Sequence, residues 1–435
     1  MGMVGFAFPL RYLSPTQISL CALGACLFNL FFLPRIHRRI FRESEKHPLL
    51  SGPFYYSLSV LVLSLALSGY PHIVAAAWAV MALGDGAAGL GGRLSPQLPV
   101  PWNSKKSVRG FLQFLTAGTI GSLTLLVWTL PSSAKLPFSL GQAIGICLGV
   151  SLCCAVVETL AWGLDDNLTV PLAAGVLFFL LLQTPLPDTL RSQSFKRAFV
   201  AGLLLNLILA GFAKLLGWIR WTGAAAGVAI GTLIFAFLGW KGLTILLTFL
   251  VAGSLSTKLG YAWKNRLGIS ESNRGARGAK EALANGGLSA LLSVLASVSP
   301  NGNLFLVGFT SALGAATSDT VSSEIGQWLG GDPYLVTNFR RVRAGTNGAI
   351  TLGGTLAGIM AAGLLGLIAV QIHLISPAQF WVVQLAALVG NFTDSFLGAC
   401  VEGKRGIGNA TVNFLNTLAG ATAAMVLEWG LHAHL

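Results

Sequence analysis

Apolar residues do not alternate with polar ones at the period of a strand or of a half-buried helix. They run in unbroken blocks, each long enough to cross a bilayer, about 20 residues. The blocks lie near 16–34, 54–70, 72–91, 110–130, 138–160, 168–186, 198–213, 222–239, 243–262, 281–298, 304–322, 348–372, 379–399 and 410–430. They predict an all-α, polytopic integral membrane protein of about 14 transmembrane helices with no soluble domain between them. Polar residues follow the first block without a small-residue cleavage site, so that block is expected to stay as a helix rather than leave as a signal peptide.

Composition agrees: 54% hydrophobic residues, 10% charged residues and a mean hydropathy of +0.72 lie far from the range of soluble domains. A formal net charge of +13 could signal nucleic acid, but the basic residues sit in short loops between apolar blocks. Of the 28 lysines and arginines, only Arg11, Lys135, Arg191, Lys196, Arg197 and Lys241 fall opposite the 35–50 loop. That asymmetry follows the positive-inside rule and predicts a cytoplasmic side for the basic loops, with the bilayer and not nucleic acid as partner. The Arg35–His47 stretch is a topology anchor or a site for anionic headgroups. The six cysteines lie in apolar segments without CxxC spacing, and the six histidines form no HExxH pair, which leaves carboxylates as the candidate metal ligands.

The carboxylates are few and patterned. Asp85 ends an apolar block amid glycines, in LGDGAAGLGG, where an ionisable group costs several kcal/mol unless it is paired or hydrated. Gly89 and Gly92 follow it on one helix face and would let phosphate oxygens and a divalent ion approach, or would serve close helix packing. Gly84, Gly86 and Gly89 match GxGxxG by spacing, but an apolar span precedes them, not the strand of a dinucleotide fold, and no GxxxxGK[ST] occurs. A proline-broken loop then delivers Lys105, Lys106 and Arg109 to a helix start at Gly110, a combination suited to phosphate. Glu158 and the Asp165-Asp166-Asn167 run sit on the same face. As caps they would start a helix; with Asp85 they would complete a carboxylate-bound Mg²⁺ site.

GDGAAGLGG, PWNSKKSVRG, Glu158 and DDNLTVP resemble the motifs of the dolichol kinase and phytol kinase family, over roughly residues 20–186. The resemblance implies a membrane enzyme that phosphorylates an isoprenoid alcohol, commonly with CTP.

The second half carries a variant of the same arrangement. Asp319 has Ser323 and Gly326 where Asp85 has glycines, with Glu324 beside it, and Arg340, Arg341 and Arg343 lead to Gly345, Thr346 and Asn347. Asp85 precedes Gly110 by almost the stretch that separates Asp319 from Gly345, and Asp394 follows as Asp165 does, so a diverged internal duplication is plausible. The long basic segment Ser256–Lys280, with Arg274 and Arg277, is a solvated topology signal or a grip for nucleotide phosphates. Asn409, Asn413 and Asn416 line one helix face, as interhelical glue or ligand contacts. ATSDTVSSEIG, FRRVRAGTNGAITLGGTLAG and GNFTDSFLGA together resemble a membrane family known as a domain of unknown function, which includes plant phytyl-phosphate kinase, over about 200–430.

The two resemblances imply a polyprenol or phytol kinase-like domain at 1–190 and a prenyl-phosphate kinase-like domain at 191–435, joined near Asp188–Arg197. The expected function is a bifunctional isoprenoid-alcohol salvage kinase that makes the monophosphate and then the diphosphate from CTP or another nucleoside triphosphate with Mg²⁺. Asp85, Asp165, Asp166, Asp319 and Asp394 would be catalytic. Asp85, Glu158, Asp165, Asn167, Asp319, Glu324 and Asp394 would hold metal. Gly84, Gly86, Gly89, Lys105, Lys106, Arg109, Arg274, Arg277, Arg340, Arg341, Arg343, Thr346 and Asn347 would bind nucleotide or phosphate. The alternatives are a membrane cytidylyltransferase making a CDP-lipid and a secondary transporter of an anionic or phosphorylated solute, whose site would lie near the bilayer midplane.

Overall fold

The computed structural model describes residues 2–36, 52–91, 98–100, 103–130, 139–159, 165–268, 270, 275–403 and 408–433. Among these, twelve helices are long and apolar enough to span a bilayer, and the only strands are two short hairpins. The chain is an all-α polytopic membrane protein. It divides into two compact units, Met1–Pro185 and Leu186–Leu435.

Three of the expected spans take another form: 54–70 is shortened, and 222–239 and 243–262 run together. Gly52–Ala66 is a helix shorter than a full crossing, and Trp221–Lys258 is one helix of 38 residues. Straight, that helix would reach about 57 Å, nearly twice the hydrocarbon thickness. It breaks at Gly239, whose φ of 64° and ψ of −157° are reserved for glycine, so it supplies two arms. The Asp188–Arg197 connector is itself helical: Leu186–Arg191 forms one turn and a half, and Ser192 caps the next helix by accepting from Phe195 N at 3.1 Å.

Unit 1 holds α1 (Pro15–Arg35), α2 (Gly52–Ala66), α3 (Pro71–Leu90), α4 (Val108–Thr129), α5 (Leu140–Thr159) and α6 (Asp166–Gln183). Its core forms around the alanine-rich face of α3, where Ala75, Ala76, Ala77 and Ala79 are fully buried with Phe114 and Phe178. Small side chains there let neighbouring helices approach closely.

Unit 2 holds α7 (Gln193–Leu215), α8 (Trp221–Lys258), α9 (Tyr261–Arg266), α10 (Ala279–Val298), α11 (Gly302–Leu329), α12 (Leu352–Gln371), α13 (Pro377–Cys400) and α14 (Asn409–Leu431). Its central element is α11, 83% buried over its apolar window and enclosed by α8, α10, α12, α13 and α14. Burying a helix that carries Thr310, Ser311, Thr317, Ser318 and Asp319 is costly unless those groups find partners, and this polarity marks where chemistry belongs.

Candidate active sites

In unit 1 the carboxylates come from the ends of three helices. Helix α3 passes into a π-helical stretch, Val80–Asp85, and resumes as α-helix at Gly86. Such a stretch inserts a residue and re-aims the side chains beyond it, and it occurs often at functional sites. Glycines hold α3 against α4: a Cβ on Gly84 would stand 3.0 Å from the Phe114 ring, and one on Gly110 would stand 3.4 Å from Ala88 O. Between these helices Pro99–Val100 pairs antiparallel with Asn103–Ser107, and Ser107 caps α4 by accepting from Gly110 N at 3.1 Å. Asn103 Nδ2 donates to Thr159 O at 2.9 Å, which pins this hairpin to the end of α5.

The hairpin thereby carries Lys106 onto Glu158, with which it forms a close ion pair, and to 3.5 Å from Asp166. Oxygens of Asp85, Glu158 and Asp166 all lie within 4.8 Å of one another. Partial burial opposes the Lys106 charge, but the hydrogen bond and charge of Glu158, then Asp166 and Asp85, overcome it and raise the ammonium above its ordinary value. One ammonium among three carboxylates leaves an excess of acid on hard oxygen donors, with Glu158 buried and the other two half-buried. That donor set suits Mg²⁺, which binds few protein carboxylates and keeps room for water and phosphate oxygens.

The neighbouring residues divide their roles. Asp165 accepts from Asn167 N at 2.9 Å and Asn167 Nδ2 at 2.8 Å, forming the N-cap of α6, so these two are engaged with each other while Asp166 joins the cluster. Gly86 is half-buried at the resumed α-helical turn, Gly89 is exposed with open space around it, and Arg109 is exposed in the first turn of α4. Lys105 lies in the second strand of the hairpin.

In unit 2, α11 and α13 are joined by a polar contact. Asn391 Nδ2 donates to Ser318 Oγ at 3.0 Å, and Ser322 Oγ donates to Asn391 Oδ1 at 3.3 Å. This register sets Asp394 beside Asp319, within hydrogen-bonding reach. Among the described residues Asp394 Oδ1 is buried with no hydrogen-bond partner. Two facing carboxyls with an orphaned oxygen fit a cation between or beside them. A cavity of about 270 Å³ opens at Asp394, lined also by Ser322, Gly326, Thr346, Asn347 and Glu402. Burial holds the Glu402 carboxyl above its usual range.

A hairpin, Tyr334–Leu335 against Ala349–Ile350, borders the cavity. Arg340 and Arg343 are exposed on it, and Arg341 pairs with Asp332. Gly348, at φ 75°, packs against the Asp394 helix at Ser395 and Ala399. Arg277 lies away from this hairpin: its guanidinium stands over Phe249 at 5.3 Å and reaches Thr320 Oγ1 at 3.5 Å. Arg274 lies outside the described residues.

Glu324, expected with the metal ligands, is turned to Lys264, whose ammonium also donates to Thr257 O at 3.1 Å. Lys264 is fully buried, so at this residue the Ser256–Lys280 segment is neither a solvated topology signal nor a phosphate grip, while Lys258, Arg266 and Lys280 are exposed. The sequence holds little signal for this pair: Lys264 looks like one of many loop cations until α9 folds against α11.

The fold and the two carboxylate sets define a polytopic membrane protein with one acidic set at or near helix ends in unit 1 and a second set within α11 and α13 in unit 2. Residues 204–421 match the family described as Integral membrane protein DUF92, and the chain belongs to that family. It is 31% identical over 244 residues to the chloroplastic protein VTE6 of Arabidopsis thaliana, covering 54% of this chain and 73% of that one. It is 34% identical over 237 residues to an uncharacterized membrane protein of Methanocaldococcus jannaschii, covering 53% of this chain and 94% of that one. A probable chloroplastic phytol kinase of Triticum aestivum is 32% identical over 146 residues, 33% of this chain and 48% of its own length. No solved structure matches.

Proposed function

We propose that the protein is a bifunctional isoprenoid-alcohol salvage kinase, with unit 1 making a prenyl monophosphate and unit 2 the diphosphate. The observation that carries this reading is the meeting of Asp85, Glu158 and Asp166 around Lys106, beside a loop with further cations. The chain's similarity over 146 residues to a probable phytol kinase points the same way. Phosphoryl transfer asks for positioning and charge neutralisation more than for covalent catalysis.

In unit 1 the alcohol oxygen bonds to the γ-phosphorus, the bond from that phosphorus to its bridging oxygen breaks, and nucleoside diphosphate departs. Asp85 or Asp166 takes the hydroxyl proton. Lys106 holds Glu158 and Asp166 in register, and Lys105 and Arg109 meet nucleotide phosphates. Mg²⁺, when bound by Asp85, Glu158 and Asp166, would neutralise charge on the transferring phosphate. In unit 2 a phosphate oxygen of the prenyl monophosphate bonds to the γ-phosphorus, the bond from that phosphorus to its bridging oxygen breaks, and nucleoside diphosphate departs. Asp319 and Asp394 form the acidic centre, and Thr346, Asn347, Arg340 and Arg343 border the nucleotide's approach. The unit 1 acids, at or near helix ends, suit access to cytosolic nucleotide better than the midplane site of a transporter.

The test supplies purified protein in detergent with γ-labelled CTP or ATP, Mg²⁺ and either geranylgeraniol or geranylgeranyl monophosphate. Asp85→Asn is expected to abolish labelling of the alcohol and Asp319→Asn labelling of the monophosphate. A wild type that labels neither lipid with either nucleotide defeats the proposal, and CMP appearing in lipid would mark a cytidylyltransferase instead.

A further inference from the structure

Unit 1 gathers two aspartates and a glutamate, Asp85, Asp166 and Glu158. In unit 2 the glutamate expected in that part, Glu324, is sealed against Lys264, which leaves the pair Asp319 and Asp394 short of a third carboxylate. The chain supplies one where α13 ends. The backbone N of Val401 and that of Glu402 both donate to Leu397 O, at 2.8 and 3.2 Å, so Glu402 is fastened to the last turn, and Gly403, at φ 72°, breaks the helical path beyond it. Asp394, Gly398 and Glu402 follow one another at intervals of four residues and so fall on one side of this helix end. The Glu402 side chain folds back over Gly398, where a Cβ would stand 3.3 Å from Glu402 Oε2 and 3.0 Å from Gly348 N. Glycine at 398 therefore leaves room for the carboxylate beside the hairpin that borders the cavity.

Asp394 and Glu402 line the same cavity of about 270 Å³, and the charge of Glu402 acts on Asp394. The rest of its polar lining is neutral, with Ser322, Thr346, Asn347, Thr351 and Asn391, and among the described residues no lysine or arginine lines it. In unit 1, by contrast, Lys106 offsets part of the acidic charge. Asp394 Oδ1 is buried with no hydrogen-bond partner among the described residues, a costly condition for a carboxylate oxygen. A free anion would be repelled by these acids. A small divalent cation satisfies the orphaned oxygen, offsets both charges and leaves the neutral hydroxyls and amides to its waters.

We propose that Glu402 completes the acidic centre of unit 2 and shares with Asp394 a divalent cation of the Mg²⁺ class, in the part expected of Glu324. The metal site stands on the carboxylates and the cavity; its use in phosphoryl transfer rests on the kinase reading of unit 2.

The test is a Mn²⁺ titration, with free Mn²⁺ read by electron paramagnetic resonance, on the full-length protein in detergent. Asp85→Asn with Asp166→Asn serves as the background and disables the unit 1 centre. The background protein is expected to bind Mn²⁺ and to release it to Mg²⁺. Adding Glu402→Gln is expected to weaken binding about tenfold or more, as the loss of a ligand should, while adding Asp188→Asn, at an exposed carboxylate, leaves it unchanged. Melting in EDTA separates a lost ligand from a lost fold, and there the Glu402→Gln protein is expected to be at least as stable as its background. A background protein that binds no Mn²⁺, an affinity unchanged by Glu402→Gln, or an affinity lost only together with the fold overturns the assignment. Glu402-dependent Mn²⁺ binding without labelling of geranylgeranyl monophosphate retains the metal site and defeats the kinase reading of unit 2. Labelling of the monophosphate with Mn²⁺ binding untouched by Glu402→Gln retains the kinase reading and removes Glu402.

Discussion

The buried pair of Lys264 and Glu324 offers a sharp test of how unit 2 is held together. Lys264→Met keeps the apolar stem and removes the ammonium from a site with no solvent exposure. Glu324 is then a buried carboxylate without its cation, which costs about 3–5 kcal/mol. Thr257 O, which accepts from the same ammonium at 3.1 Å, loses a donor worth about 1 kcal/mol. At roughly 2–4 °C per kcal/mol for a domain of this size, the single variant should melt about 8–24 °C below the parent. Removing both charges, in Lys264→Met with Glu324→Leu, takes away the stranded carboxylate and should recover most of that loss. The measurement is heat-induced aggregation in detergent, followed by size-exclusion chromatography for the parent, both single variants and the double variant. A double variant as unstable as the sum of the singles would refute the reasoning, because the two groups would then act independently.

Two further outcomes concern the unit 2 cavity. Gly348→Ala should lower the melting temperature and widen the gap between the hairpin and α13, because φ 75° disfavours a side chain and the new methyl meets Ser395 and Ala399; an unchanged melting temperature would argue against this packing. For Glu402, burial raises the folded value above the ordinary 4.5, so the native state holds the proton more tightly and stability falls as pH rises from about 4.5 through the folded value. Glu402→Gln should flatten that decline and be more stable than the parent at pH 7 in EDTA; a parallel decline in both proteins would remove Glu402 as its cause.

The long apolar blocks made the spanning helices legible, since only helices satisfy their own backbone within lipid. The blocks at 222–239 and 243–262 already part where Gly239 divides α8, but they did not reveal that Gly52–Ala66, as hydrophobic as its neighbours, is shorter than a full crossing. At the site, acids in apolar surroundings were conspicuous: Asp85, Glu158 and Asp166 stand out by pattern alone. The division of labour between Asp165 and Asp166 was not legible, because adjacent residues at a helix start differ only in direction. Lys106 reads from the sequence as a phosphate-binding residue and packing adds its pairing with Glu158, whereas Lys264 reads as one loop cation among several and only packing shows it sealed inside a bundle.

The π-helical stretch of α3 has a consequence for how unit 1 could change over time. Because the extra residue is absorbed between Val80 and Asp85, the alanine face before it and the turn after it, where Ala88 meets Gly110, keep separate registers. A one-residue deletion within that stretch would turn the side chains beyond it by about 100° and carry Asp85 away from Glu158 while the alanine face stays in place. Substitutions along the first half of the helix are therefore tolerated independently of the acidic centre, whereas a single insertion or deletion in these six residues could silence a bundle that still folds.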